Sequence, residues 1–109
     1  MPRQIQAGPV LLDLFHRDAQ IEEDWLRLHP REFEVLWYLA ERPRQRHSRL
    51  ELLRDVWRLR HDPETNRVAV TIARVRRKLA RFKLDSLIAT DLKRGAYFLD
   101  CDAHAVAAG

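Results

Sequence analysis

The chain has 109 residues, with 20 basic and 16 acidic side chains and a formal net charge of +4. This length fits one domain, and 46% hydrophobic with 33% charged residues is typical of a folded protein rather than a disordered one. The single cysteine excludes an internal disulfide framework, and no apolar run approaches the roughly 18 residues of a membrane-spanning helix. We therefore expect one cytoplasmic domain over residues 1–109, with no membrane partner.

The positive charge is concentrated in the second half of the chain. Residues 1–57 carry 9 basic and 10 acidic side chains, a net charge of −1, whereas residues 58–109 carry 11 and 6, a net charge of +5. Within residues 66–94 the counts are 9 and 2, a net charge of +7. Such an excess suggests a polyanionic partner, although a solvated arginine-rich face explains the composition equally well.

Short apolar segments predict a small antiparallel sheet over about residues 8–28. Residues 10–14, 19–21 and 25–28 are apolar with some alternation, and polar residues separate them. The separations suit a meander, in which each strand pairs with the next one along the chain.

Three helices are predicted between residues 30 and 82. The first begins at Pro30, because proline fits a first helical turn, and it ends before Pro43. Its expected buried stripe comprises Phe33, Leu36, Trp37, Leu39 and Ala40. The second is predicted over residues 49–57, with Ser48 as the N-cap of a capping box. Its expected inward face comprises Leu50, Leu53, Val56 and Trp57.

The third helix is predicted over about residues 64–82, and it is the most informative element. Its apolar residues recur at spacings of four, three, four and three, which is typical of a core stripe: Val68, Ile72, Val75, Leu79 and Phe82. Its other positions include the cations Arg67, Arg74, Arg76, Arg77, Lys78 and Arg81. We expect one apolar face and one cationic flank.

A β-hairpin is predicted over residues 86–100. Two apolar runs, at residues 87–90 and 96–99, flank a basic turn that contains Gly95. The tail over residues 102–109 consists mainly of small residues and is expected to be frayed.

Three helices followed by a hairpin form a winged helix-turn-helix arrangement. The predicted fold class is therefore α+β, with a small N-terminal antiparallel sheet, a three-helix core and a C-terminal β-hairpin wing. In this arrangement the third helix has the length and charge to enter a DNA major groove about 12 Å wide. The hairpin tip can reach phosphates or the neighbouring minor groove, so the positive charge favours double-stranded DNA as the partner.

Four segments resemble motifs of the OmpR/PhoB-type effector domain, the DNA-binding part of bacterial response regulators. Residues 28–36 (LHPREFEVL) resemble its opening L-T-P-x-E-F-x-x-L, and residues 48–57 (SRLELLRDVW) resemble its second helix S-R-E-x-L-L-x-x-V-W. Residues 66–79 (NRVAVTIARVRRKL) are similar to x-x-V-D-V-H-I-x-R-L-R-x-K-L, and residues 88–99 resemble the wing I-x-T-V-R-G-x-G-Y-R-L. The resemblance covers about residues 8–100.

The resemblance implies sequence-specific binding of double-stranded DNA and control of transcription, with a recognition helix over about residues 64–82. It implies that Val70 and Thr71 approach base edges and that Arg74 contacts a base or a phosphate. Phosphate contacts are implied for Arg67, Arg76 and Arg77. With Asn66 and three wing residues, the implied DNA-binding set is Asn66, Arg67, Val70, Thr71, Arg74, Arg76, Arg77, Thr90, Lys93 and Arg94.

The resemblance also assigns the wing and the connector. Thr90 aligns with a threonine that binds backbone phosphate, and Lys93 or Arg94 replaces the arginine that enters the minor groove. The connector over residues 57–65 aligns with a loop that touches RNA polymerase, which makes its exposed basic residues polymerase-contact candidates: Arg58, Arg60 and His61. Family members often bind direct repeats, so a homodimer on direct-repeat DNA is a further expectation.

The chain departs from the family pattern at three places. Ala69 and Thr71 stand where the family has Asp and His, so base preference does not transfer. The wing carries extra sequence at residues 91–93. The usual receiver domain is absent from these 109 residues, and we expect a stand-alone protein.

The alternative is a protein-interaction module that has lost DNA readout and binds RNA polymerase or a regulator through the connector. An enzyme is not expected, because no nucleophile, general base or metal cluster converges in the sequence. The five histidines have no ligand spacing, and three glycines leave no room for a glycine-rich phosphate loop. We therefore expect neither a metal nor a cofactor.

Overall fold

The computed structural model describes residues 3–106, which fold as the predicted α+β winged helix-turn-helix. The strands are β1 (Gln4–Ala7), β2 (Val10–Asp13), β3 (Asp18–Ile21), β4 (Asp24–Trp25), β5 (His47–Ser48), β6 (Ile88–Asp91), β7 (Ala96–Leu99) and β8 (Ala103–Ala105). The helices are α1 (Pro30–Glu41), α2 (Arg49–Asp55) and α3 (Arg67–Ala80), with a short 3-10 helix at Asp85–Leu87. No helix within the described residues is both long and apolar enough to span a membrane.

The N-terminal sheet has five strands in the order β4-β3-β2-β1-β8, and every neighbouring pair is antiparallel. The prediction of a frayed tail from residue 102 was wrong for Ala103–Ala105, because this segment pairs with the otherwise free edge of β1. The amide of Val106 also donates to the carbonyl oxygen of Gln4 at 3.0 Å. Residues 107–109 of the predicted tail lie outside the described residues.

The first two helices begin where predicted, and one expected core residue of α2 is exposed. All residues of the predicted α1 stripe are buried, and the Ser48 hydroxyl caps α2 by accepting from the Glu51 amide at 3.0 Å. Leu50 was expected to face inward, but 59% of it is exposed. The buried face of α2 is formed by Leu52, Leu53 and Val56, and Leu50 lies roughly a third of a helical turn away from its centre.

The third helix is shorter than predicted at both ends. It begins at Arg67 rather than at residue 64, because Glu64 has a φ of +55°, in the left-handed region that a right-handed helix excludes. It ends at Ala80, and Phe82 lies half-buried beyond it. The predicted stripe within the helix is buried and packs against α1: Val68, Ile72, Val75 and Leu79.

The wing is a three-stranded sheet rather than a lone hairpin. Strands β6 and β7 pair as predicted, with Asp91 opposite Ala96 at the tip. The two-residue strand β5 adds to the other edge of β7, so the order is β5-β7-β6. Because β5 leads directly into α2, the wing and the helix-turn-helix unit are joined by main-chain hydrogen bonds as well as by packing.

Candidate nucleic-acid interface

One face of α3 points away from the core and is lined by exposed residues. Arg67, Arg74 and Arg77 are exposed, and we call them the outer cations. Within residues 3–106, no carboxylate oxygen lies within 4.0 Å of their guanidinium groups. Asn66 is exposed at the N-cap position, and Val70 is half-buried on the same face. This surface has uncompensated positive charge and is open to a partner.

Thr71 does not belong to this face. Only 8% of Thr71 is exposed, because it lies three residues after Val68 and four before Val75, on the buried side of the helix. The approach of Thr71 to base edges, which the resemblance implies, therefore stays a prediction that the burial of Thr71 does not favour.

Arg76 and Thr90, both implied to bind phosphate, are bonded to each other in the free protein. The guanidinium of Arg76 donates to the Thr90 hydroxyl at 2.7 Å and to the carbonyl oxygen of Ile88 at 2.9 Å. The same group lies 5.8 Å from the centre of the Tyr97 ring. Arg76 thus fastens α3 to both strands of the wing hairpin and sets where the wing stands relative to the helix.

A second group of α3 cations is also used internally. Lys78 donates to the Glu32 carboxylate at 2.6 Å and to the carbonyl oxygen of Arg27 at 2.7 Å. Arg81, just past the end of the helix, donates to the carbonyl oxygen of Leu26 at 3.2 Å. We call Arg76, Lys78 and Arg81 the anchoring cations, because each one holds α3 to a neighbouring element.

Glu32 is the buried partner of Lys78, and no pattern in the sequence indicates this pair. It lies in the first turn of α1 and is only 3% exposed. Burial alone raises the pKa of its carboxyl, but hydrogen bonds from Lys78 and from the His29 amide outweigh burial, so its pKa lies below its ordinary value. Glu32 is therefore a buried anion that holds α3 in place through Lys78.

The wing tip is held in a defined shape by Asp91. One of its carboxylate oxygens accepts from the amides of Lys93 and Arg94, at 3.1 Å and 3.2 Å. The other accepts from Arg46 at 3.4 Å, and the Arg46 guanidinium lies 3.7 Å above the centre of the Phe98 ring. The side chains of Lys93 and Arg94 are exposed.

The connector between α2 and α3 is fixed at one point and exposed elsewhere. Arg49 makes two hydrogen bonds of 2.7 Å to the Asp62 carboxylate. This pairing, with help from the Glu64 amide, lowers the pKa of Asp62 to about 2. The three polymerase-contact candidates of the sequence analysis all lie exposed on this connector: Arg58, Arg60 and His61. The 13-residue separation of Arg49 and Asp62 gave no periodic signal by which sequence alone could pair them.

Two further features of the described residues concern metal ligands and the single thiol. No group of three or more His, Cys, Asp or Glu side chains within residues 3–106 could hold a metal ion. Burial raises the pKa of the Cys101 thiol, which makes it less reactive.

A helix-turn-helix unit with an open arginine face beside a basic hairpin defines a winged helix DNA-binding domain. Comparison with known proteins agrees with this class. Residues 22–98 match the family model described as "Transcriptional regulatory protein, C terminal". The chain belongs to this family, and its domain is of the OmpR/PhoB type found in response regulators.

The relatives and the solved structures are consistent with one another. The DNA-binding response regulator MtrA of Mycolicibacterium smegmatis is 34% identical over 77 residues, which cover 71% of this chain and 34% of MtrA. The DNA-binding domain of CpxR from E. coli is 26% identical with a TM-score of 0.77, covering 90% of this chain and 96% of that one. The Klebsiella pneumoniae RstA DNA-binding domain, solved in complex with the RstA box, is 27% identical with a TM-score of 0.76, covering 90% and 97%. The chain thus spans about a third of the length of its curated relative MtrA.

Proposed function

We propose that this domain binds double-stranded DNA in a sequence-specific manner and thereby regulates transcription. In this proposal α3 enters the major groove and the wing lies on the adjacent backbone and minor groove. The observation that carries it is the open face of α3, where the outer cations have no carboxylate partner among the described residues. Since bacterial DNA lies in the cytoplasm, we propose that the domain acts there.

The contacts divide into two kinds. Arg74, exposed near the middle of α3 beside the half-buried Val70, is proposed to reach base edges, since an arginine fork matches guanine in the major groove. Asn66 and the remaining outer cations, Arg67 and Arg77, are proposed to contact phosphates and fix the helix in its register. Arg76 and Thr90 are proposed to touch the backbone together, as the bonded pair described above. On the wing, Lys93 and Arg94 supply further positive charge.

Selection of bound sites from random duplex DNA tests this function. We expect one sequence motif to be enriched, and Arg74→Ala to weaken binding to it by about 1–3 kcal/mol and to relax the preference at one base position. Arg60→Ala is the matched control, because Arg60 is also an exposed arginine but lies on the connector. Unchanged affinity of Arg74→Ala for both the selected and a scrambled duplex would refute the proposal. Recovery of the motif as a direct repeat would support the homodimer on direct-repeat DNA that the resemblance implies.

The connector supports a second, separable proposal, a contact with RNA polymerase. Arg58, Arg60 and His61 are exposed there, and the Arg49–Asp62 pair restrains the loop that carries them. A triple substitution of Arg58, Arg60 and His61 by Ala is expected to abolish polymerase recruitment at the selected site while leaving DNA affinity unchanged. Equal loss of both would assign the loop to the DNA interface, and retention of both would remove polymerase as its partner.

A further inference from the structure

The wing tip holds an apolar side chain in solvent between the wing strands. Leu92 is the first residue of the four-residue connection from β6 to β7, and 88% of it is exposed. The two residues that follow it, Lys93 and Arg94, are exposed cations. Leu92 is thus an exposed apolar side chain followed by two cations, and these are the residue types with which minor-groove proteins insert a wedge and contact the surrounding DNA.

Hydrogen bonds order the backbone of the turn that carries Leu92. The Asp91 carboxylate accepts from both following amides, of Lys93 and Arg94, and from Arg46, which itself stacks on Phe98. Gly95 closes the connection with a φ of +60°, a conformation that favours glycine. The side chain of Leu92 is thus presented outward by an ordered turn, and less conformational entropy is lost when it is buried by a partner.

The other large exposed apolar residues lack this setting. Phe15, 75% exposed, packs edge-on against His16 at 5.2 Å in the turn between β2 and β3. Leu50, 59% exposed, lies on α2 beside the connector. Of these exposed apolar side chains, Leu92 is the one on the wing, next to the exposed cations Lys93 and Arg94.

We propose that Leu92 enters the DNA minor groove beside the recognition helix and inserts between two adjacent base pairs. Lys93 and Arg94 then contact the phosphates on either side, and partial unstacking at that step bends the duplex. Because flexible pyrimidine–purine steps unstack most easily, the wing would select such a step without hydrogen bonds to its bases. This inference rests on the proposed DNA binding and adds a specificity-determining residue to it.

The test compares Leu92→Ala with Leu50→Ala on the duplex recovered by selection. Affinity is measured by fluorescence anisotropy, bending by energy transfer between dyes on the two duplex ends, and unstacking by 2-aminopurine placed at successive positions under the wing. We expect the wild-type chain and Leu50→Ala to bend the duplex and to brighten one 2-aminopurine position. Leu92→Ala is expected to bind roughly tenfold more weakly, to lose the bend and to leave every position quenched, while Leu92→Phe retains both signals.

The outcomes separate this inference from the proposed function. If Leu92→Ala binds, bends and unstacks the duplex like the wild type, the wedge is refuted while DNA binding stands. If neither the wild type nor any variant binds DNA, the proposed function fails first. If Leu92→Ala changes only self-association in sedimentation experiments and no DNA signal, the side chain contacts a second copy and the wedge is again refuted.

Discussion

The outer and the anchoring cations of α3 are neighbours in sequence but differ in what they contact. Arg74 and Arg77 extend into solvent with no carboxylate partner among the described residues, whereas Arg76 and Lys78, beside them, are bonded to the wing and to α1. The local excess of positive charge therefore overstates the charge that faces a ligand. The outer cations are free of carboxylate partners within residues 3–106, and the anchoring cations hold α3 in place. Arg76 is the one anchoring cation that is also proposed to touch DNA, together with its partner Thr90.

This division explains how a surface helix of 14 residues can be rigidly placed. Its apolar stripe fixes its depth against the core, but a stripe alone leaves freedom to slide and rotate. The bonds from Arg76 to the wing and from Lys78 to Glu32 restrain that freedom on two sides. Preorganisation of this kind lowers the entropic cost of binding.

The largest loss of stability from removing an anchoring cation is expected for Lys78→Met. This change leaves the Glu32 carboxylate, 3% exposed, without its ion pair, and we expect the free energy of unfolding to fall by about 3 kcal/mol. Urea unfolding followed by circular dichroism measures it. Arg77→Met is the control, because Arg77 is exposed one residue away: its stability should stay within about 0.5 kcal/mol while its DNA affinity falls. Equal stabilities for the two variants would end the distinction between anchoring and outer cations.

The difference in unfolding free energy between the wild type and Lys78→Met should also depend on pH. The folded-state pKa of Glu32 lies below its ordinary value of 4.5, so its contribution to stability is fully present above about pH 4.5 and is lost as the pH falls through the lowered pKa. In Lys78→Met the buried carboxyl instead takes up its proton readily. We expect the gap in unfolding free energy between wild type and variant to be largest near pH 7 and to shrink below pH 4.5. A gap that is constant from pH 7 to pH 3 would contradict an ionic role for Glu32.

An intermediate effect is expected for Arg76→Lys. Lysine keeps the charge but lacks the planar guanidinium, whose Nε bonds the Ile88 carbonyl while a terminal nitrogen bonds the Thr90 hydroxyl, so about 1–2 kcal/mol of stability should be lost. Hydrogen exchange should show faster exchange of the β6 amides, which reports loosening of the wing. Arg74→Lys is the matched control at an exposed position and should leave the exchange of the β6 amides unaltered. Equally fast β6 exchange in both variants would contradict a specific role for Arg76 in holding the wing to α3.

The smallest effect is expected in the salt dependence of DNA binding. Each phosphate contact that is lost should reduce the slope of log affinity against log salt concentration by about 0.9. Arg77→Ala is predicted to show this reduction, and Arg81→Ala is not, since Arg81 is bonded to the Leu26 carbonyl. Equal slopes for both variants, measured by anisotropy over a range of salt concentrations, would show that the two cations do not differ at the DNA.

The sequence predicted the elements whose period is strong. The stripes of α1 and α3 were recovered because four or five apolar residues repeat at helical spacing in each. The same period places Thr71 on the buried side of α3, with Val68 and Val75. The motif resemblance instead implies a base-reading position for Thr71, so the period and the resemblance differ at this residue.

The parts that were missed depend on pairings across long separations. Strand β8 is Ala-His-Ala, a segment with little intrinsic strand preference, and it forms because β1 offers it an edge. The ion pair of Glu32 and Lys78 joins residues 46 positions apart, and no local pattern indicates it. Helix stripes are local properties, whereas these contacts exist only once the fold is assembled.

The pairing of β1 with β8 has a consequence for how the domain can be rewired. Ile5 lies opposite Ala105, and the Val106 amide reaches the Gln4 carbonyl at 3.0 Å, so the backbone nearly closes on itself. The two ends of the described chain are therefore adjacent in space. A linker of a few residues could join them, and new ends could be opened in the exposed connector without severing a strand or a helix. Such a circular permutant would begin with α3 and end with α2, so the cyclic order of its elements and its surfaces would both be preserved.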